Sequence, residues 1–306
     1  MLGFECEPRS ASGEREHHIV LVIGHTMNSD LWLPEAQRGY FDPVPLLDES
    51  QVVITNTAWV DYFIVHDTNY GMYLNLSPAS LSLTGPGGRV LTNVLCFLPG
   101  DIKCPFPNAK KMAEWFHWFV VDSYESLLEG VGITLGGRAR LWMNEARDSL
   151  QNVLRAPVFR ILLVRKEAYL SHLSETLDRQ GVGLDLESHN RLRELPDLFW
   201  LIEATLPDLY SVNRSKLADI VIPATVAPID PEATGHVDPE LPDPTGTVSL
   251  VLDSVRSMAY ARFPGFQIFK NPEEPQGLDI EAAPSPIEDH MPLFEDPSSP
   301  RDIPRW

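Results

Sequence analysis

The sequence predicts an α+β chain with a β-rich N-terminal half, central helices and an extended, proline-rich C-terminal arm. Three observations carry that expectation. Short runs rich in Val, Ile, Tyr, Phe and Thr, punctuated by Gly and Pro, fill residues 17 to about 100. From about residue 108 the apolar period lengthens to that of a helix. After Ile222 come 15 of the 27 prolines, a density that blocks helices and central strands.

Residues 1–16 read as a polar arm. The core of mixed α and β structure then runs over 17–222, and the acidic arm over 223–306 carries one apolar island at 247–263. The runs "HIVLVIG" (18–24) and "GRVLTNVLCFL" (88–98) are apolar nearly throughout, as suits strands buried on both faces. "QVVITN" (51–56) and "AWVDYFIVHD" (58–67) are further strands. In "GMYLNL" (71–76), Met72, Leu74 and Leu76 alternate with Tyr73 and Asn75, which predicts one wetter face.

The first helix is expected over 108–130, with Asn108 as N-cap and Gly130 at the C-terminal stop. Met112, Trp115, Phe116, Phe119, Val120, Tyr124, Leu127 and Leu128 recur on it at i, i+3, i+4 spacing. A second helix is expected from about 138 to 155, stopped by Pro157, and "VFRILLV" (158–164) reads as a strand. A third helix over about 165–179 ends at Gly181, and a fourth begins near Pro196-Asp-Leu-Phe-Trp-Leu-Ile202.

Forty-three Asp and Glu against 24 Lys and Arg leave a net charge of −19. The balance is −7 over residues 1–100, −2 over 101–220 and −10 over 221–306. No segment is net positive, so bulk charge disfavours nucleic-acid backbones and anionic membrane surfaces as partners. Lys110, Lys111, Arg138, Arg140, Arg165 and Lys166 lie in the near-neutral middle and read as solvated helix faces. Cys6, Cys96 and Cys104 are odd in number and form no CxxC, so neither a disulfide framework nor a zinc knuckle follows. The charged N-terminus lacks the apolar core of a secretory signal, and the apolar runs are far shorter than the ~20 residues of a membrane span. An intracellular protein, or one within an assembled particle, is the expectation.

The stretch "HHIVLVIGHTMNSDLW" (17–32) runs from an apolar strand into a loop of Gly, His, Asn, Ser and Asp. It resembles the first part of an α/β-hydrolase, where a strand ending in a His/Gly loop helps build the oxyanion hole. The order here is Gly24-His25 instead of His-Gly, and the match covers about sixteen residues. That resemblance implies an enzymatic alternative using His25, Ser29 and Asp30, with Asn28 beside them. The G-x-S-x-G elbow such enzymes need is missing; Gly132-Ile-Thr134-Leu-Gly136 places a threonine at the nucleophile position, after a helix instead of a strand. Gly130, Gly132 and Gly136 fail as a dinucleotide loop for the same reason, and no P-loop occurs. His17, His18, His25, Asp30, His66 and Asp67 form no metal-ligand spacing, and His17 and His18 point to opposite faces of a strand. No cofactor is called for; "HHIVLVIG" (17–24) reads as a buried strand and "HTMNSD" (25–30) as a polar turn whose Asn28, Ser29 and Asp30 hydrogen-bond locally or cap a short helix near Leu31.

The features that remain favour a non-enzymatic structural or assembly protein, of shell or coat type, that self-associates or docks on a protein partner. Aromatic residues dominate interface hot spots, and Trp115 and Trp118 of the aromatic helix are candidates, Trp118 and Val121 widening its apolar arc beyond one face. In the arm, Val248, Leu250 and Leu252 form a strand-like stripe suited to a sheet edge of another copy, and Trp306 ends the chain.

Overall fold

The computed structural model describes residues 2–6, 16–27, 44–45, 52–55, 60–77, 89–95, 101–150, 157–179, 181, 183, 186–206, 216–227, 257–271, 274, 277–283 and 287. In chain order the strands of the first third are β1 (Leu2–Cys6), β2 (Glu16–Met27), β3 (Val44–Pro45), β4 (Val52–Thr55), β5 (Val60–Asp67), β6 (Gly71–Leu76) and β7 (Arg89–Val94). Then come α1 (Phe106–Gly130), α2 (Gly137–Leu150), β8 (Val158–Arg165), α3 (Lys166–Arg179) and α4 (Leu186–Arg193). The remainder is β9 (Leu198–Thr205), β10 (Ala218–Pro223), β11 (Tyr260–Phe263), β12 (Phe266–Lys270) and β13 (Leu278–Ala282). The α+β class expected from the sequence is what these elements form. Among the described residues no helix is long and apolar enough to cross a membrane.

The chain divides into two compact units, Met1–Trp32 with Thr57–Gly100, and Leu33–Asn56 with Asp101–Trp306. The first is an antiparallel sheet in the order β6-β5-β2-β1-β7. Residues 1–16, read as a polar arm, supply β1, which sits between β2 and β7 with Leu2 opposite Val20. Leu2, Val20, Val65 and Leu76 bury one face, with Val22, Phe63 and Leu74 packed against them.

The second unit is an eight-stranded sheet in the order β13-β12-β11-β10-β9-β8-β4-β3. Every pair in it is antiparallel except β4 with β8. Helices cover both faces. On one, α1 and α2 bury Phe116, Val120, Tyr124 and Met143 against Phe159, Trp200, Ile202, Ile220 and Phe263. On the other, Tyr169 and Leu173 of α3 and Leu192 of α4 pack on Val164, Phe199, Leu201, Val221, Tyr260 and Phe269. Successive side chains of each strand therefore alternate between two apolar layers.

That double burial explains the largest departure from the sequence expectation. The stretch after Pro196 is a strand, β9, and not a helix; its eight residues are apolar nearly throughout because both faces are covered, and such a run carries no period. The helix that does precede it, α4, reads "LESHNRLR" and has too few apolar residues to show a stripe. The first helix begins at Phe106 with Pro105 as its N-cap, so Asn108 lies inside the first turn. Proline needs no donor there, and its fixed φ suits helix entry. The second helix is described as far as Leu150.

Of the segment read as an extended arm, the described residues from Met258 to Ala282 are extended as β11, β12 and β13, paired within the larger sheet. Tyr260, Ala261, Phe263, Phe266 and Ile268 there are fully buried. Pro264 and Gly265 turn β11 into β12, with Gly265 at φ 83°. Its Cα approaches α2 so closely that a Cβ would lie 2.7 Å from Leu135 and 3.1 Å from Ala139.

Candidate functional site

Two features stand out from the packed layers, one in each unit. The first is the face of the smaller sheet opposite its core. Alternation along β2 sends Val20 and Val22 inward and Ile19, Leu21 and Ile23 outward. These three are 62%, 43% and 44% exposed. "HIVLVIG" was expected to be buried on both faces; in this structure only one face is covered. On the neighbouring β5 the exposed Tyr62 follows the same alternation, and His66 stands opposite Leu21. The Nδ1 of His66 is enclosed yet makes no hydrogen bond.

This face runs into the β5–β6 hairpin, whose turn is held by a buried carboxylate. Asp67 accepts a hydrogen bond from the Asn69 amide at 2.8 Å, as in an Asx turn, and pairs with His18 Nε2 at 2.7 Å. Burial raises the Asp67 pKa, but the bond from His18 and the amides of Asn69 and Tyr70 outweigh it and leave it below its ordinary value. Gly71 follows at φ 110°. Tyr73 has φ 61°, a left-handed conformation that is strained for a tyrosine. From this fixed turn Tyr70, Met72 and Tyr73 project outward, Tyr73 being 74% exposed. The alternation read in "GMYLNL" is present at Leu74, Asn75 and Leu76, whereas Met72 lies in water instead of the core.

The second feature is a polar row across the larger sheet. Arg160 of β8 stands opposite Glu203 of β9, Glu203 opposite Asp219 of β10, and Asp219 opposite Arg262 of β11. Arg262 faces Gln267 of β12, which faces Glu281 of β13. Six strands thus carry one polar residue each at a single register position, on the face covered by α3 and α4.

Glu203 and Asp219 are like charges side by side, and Lys216 pairs with both. Its Nζ is 2.8 Å from Glu203 Oε1 and 3.1 Å from Asp219 Oδ1. Burial alone would lower the lysine pKa; the carboxylates of Asp219 and Glu203 reverse that and hold it above its ordinary value. Arg160 Nη1 donates to Glu203 Oε2 at 3.2 Å, and the Tyr169 hydroxyl donates to Asp219 Oδ2 at 3.2 Å. Burial, then Asp219, push the Tyr169 pKa well above the ordinary range; burial takes that of Tyr260 to about 12. At the outer end, Gln267 Nε2 donates to Ser188 Oγ at 3.0 Å and to Glu281. Arg191 of α4 forks between Asp279, at 2.8 Å, and Glu281 while lying over the Phe269 ring. With Arg191, Asp279 and Lys216 included, cations and carboxylates balance.

The residues expected from the sequence are placed as follows. Trp115 is buried in the chain's own core and meets the half-buried Trp118 edge-on at 6.3 Å. Val248, Leu250, Leu252 and Trp306 lie outside the described residues, as do Asn28, Ser29 and Asp30. His25 is within β2, and Thr134 is exposed in the turn between α1 and α2. Among the described residues no cluster of three metal-ligating side chains forms. The polar row was missed, although its signal is visible: each of "VFRILLV", "LIEAT", "ADIVIP", "YARF" and "FQIF" holds one charged or amide residue in an apolar strand.

Compared with family models, curated proteins and solved structures, the chain finds no significant match in any of the three.

Proposed function

We propose that the chain is a structural or assembly protein, a shell or coat-type subunit that associates with further copies of itself. The observation that carries this reading is the uncovered apolar face of the smaller sheet, with Ile19, Leu21 and Ile23 in its middle strand. A sheet with apolar residues on both faces needs a layer on each, and contiguous apolar surface marks interaction sites. The net charge of −19 favours a protein partner over a nucleic-acid backbone. Val248, Leu250, Leu252 and Trp306 of the proline-rich segment belong to the same proposal as residues that reach a neighbour. Light scattering coupled to gel filtration tests it. The full-length chain is expected to run as a defined oligomer or larger particle, and Leu21→Lys to shift it towards 34.3 kDa. A wild-type chain that stays monomeric at all concentrations removes the proposal.

The polar row favours a second reading, an acid–base centre built on Lys216, Glu203 and Asp219, because such charge clusters gather at active sites. A panel of ester and phosphate substrates decides it: turnover that Lys216→Met abolishes while the variant keeps the wild-type circular-dichroism spectrum supports a catalytic centre, and absence of wild-type turnover leaves the row a structural element.

A further inference from the structure

We propose that the smaller sheet packs face to face on the same sheet of a second copy, about a two-fold axis that crosses β2 at Leu21. This deepens the assembly reading and rests on it. The axis runs across the strands, so the two β2 strands lie antiparallel over one another. Leu21 then meets its own counterpart, and Ile19 meets the second copy's Ile23. The exposed residues of β2 fit that symmetry: Ile19 stands two positions before Leu21 and Ile23 two positions after it. A row that reads the same in both directions is self-complementary, as a two-fold contact requires.

The surroundings of the row suit the same occupant. Gly3 of β1 stands opposite Ile19 and, having no side chain, leaves a slot beside it for the second copy's Ile23. On the other side Gly24 pairs with Ile64 of β5, and a Cβ on Gly24 would lie 3.6 Å from the Ile64 side chain, so both share this face with the exposed Tyr62. Ile19, Leu21, Ile23, Tyr62 and Ile64 are uncharged, although residues 1–100 sum to −7. Two acidic copies therefore bring no like charges together along the row. Polar positions surround it: His66 opposite Leu21, Asn75 opposite Ile64, and Glu5 opposite His17 at the end of β1. The axis sets His66 against the second copy's His66, whose ring supplies a partner for the enclosed Nδ1 that makes no hydrogen bond within the chain. Five strands about 4.8 Å apart, over the six residues of β6 and β7 at ~3.3 Å each, give a face of about 24 by 20 Å. Two such faces bury on the order of 1,000 Å², which reaches the lower bound of a specific interface. Pairing along the β6 edge is obstructed instead: the register shifts between Val65 and Asp67, and Tyr73 is held at φ 61°. Bulges of this kind turn an edge away from further strands.

The test uses the full-length chain and light scattering over a concentration series. Leu21→Lys and Leu21→Glu should each weaken self-association by roughly tenfold or more, because two like charges meet on the axis. Mixed one to one, the two variants should regain most of it, since a lysine then faces a glutamate. Ile19→Lys mixed with Ile23→Glu should recover in the same way, whereas Ile19→Lys mixed with Ile19→Glu should not. Recovery in that last mixture would place the axis along the strands and overturn the inference. The three positions are exposed, so each variant should keep the wild-type circular-dichroism spectrum; if the Leu21 variants unfold, the Ile19 and Ile23 pair still decides. Should the charged variants be monomeric and no mixture recover, the face meets something other than itself: the inference fails and the assembly reading stands. Charged variants that associate as the wild type does would place the contact elsewhere and likewise overturn the inference. A wild type that is monomeric at all concentrations removes both.

Discussion

His117 shows how far one residue departs from the behaviour its type suggests. It sits on α1 between Phe159 and Phe263, fully buried, with no hydrogen-bond partner for Nε2. Burial drives its pKa down from 6.5 to about 3. The unfolded chain therefore binds a proton below 6.5 that the folded chain refuses until about 3. Its contribution to stability is complete above that window and falls as pH drops through it, by about 1.4 kcal/mol per pH unit. His117→Phe should lose this slope, so its urea stability relative to wild type improves steadily below pH 6.5; equal pH dependence in the two proteins would show that the ring has a partner. Lys216 carries the opposite cost. Replacing it with Met leaves Glu203 and Asp219 buried side by side without their cation, a loss of about 3–5 kcal/mol measurable by denaturant titration. The sequence displayed His117 as one polar letter among Trp115, Phe116, Trp118 and Phe119, which is a fair sign of burial. Nothing local to Lys216 showed that two strands would deliver carboxylates to it.

At the level of elements, what could be read depended on whether one face or two were covered. α1 and α3 carry a period because water meets one side of them, and their expected spans lie within a few residues of those observed; α2 begins where expected, and its expected end near 155 lies outside the described residues. β9 is covered on both sides, so apart from Glu203 and Thr205 its letters are apolar and its type was ambiguous. β2 taught the reverse: an apolar run says that a strand can be covered twice, not that the chain supplies both covers. The candidate face was for that reason invisible in the sequence. Turn chemistry is legible at Pro264-Gly265, where φ 83° demands glycine. Gly265→Ala is expected to cost upward of about 1 kcal/mol from backbone strain alone, and more because its Cβ would lie 2.7 Å from Leu135. A drop in thermal midpoint together with a loosened α1–α2 turn in hydrogen exchange would confirm that contact.

For the whole molecule, the polar row and the two apolar layers divide the work of the larger sheet. The layers supply burial, while the row supplies position, because a slip of one residue in any pairing would move a charge into an apolar layer. Row residues should thus be costly to replace singly and cheaper in matched pairs. Arg160→Met with Glu203→Met should cost less than the sum of the single changes, read as a coupling energy in a double-mutant cycle; strict additivity would show that the two side chains act independently.

The route of the chain sets a condition on its birth. β4 belongs to the larger unit, yet it lies between two stretches of the smaller one, and its partner is β8: Ile54 pairs with Val158. During synthesis β4 leaves the ribosome well before β8 exists. Until then β3 is its one partner in the sheet and the edge meant for β8 is open, the kind of surface on which nascent chains aggregate or recruit chaperones. The same threading means that the gene cannot be cut near codon 100 into two independent pieces: a fragment ending there carries off two strands of the larger sheet, and the remainder is left with a raw edge at β8.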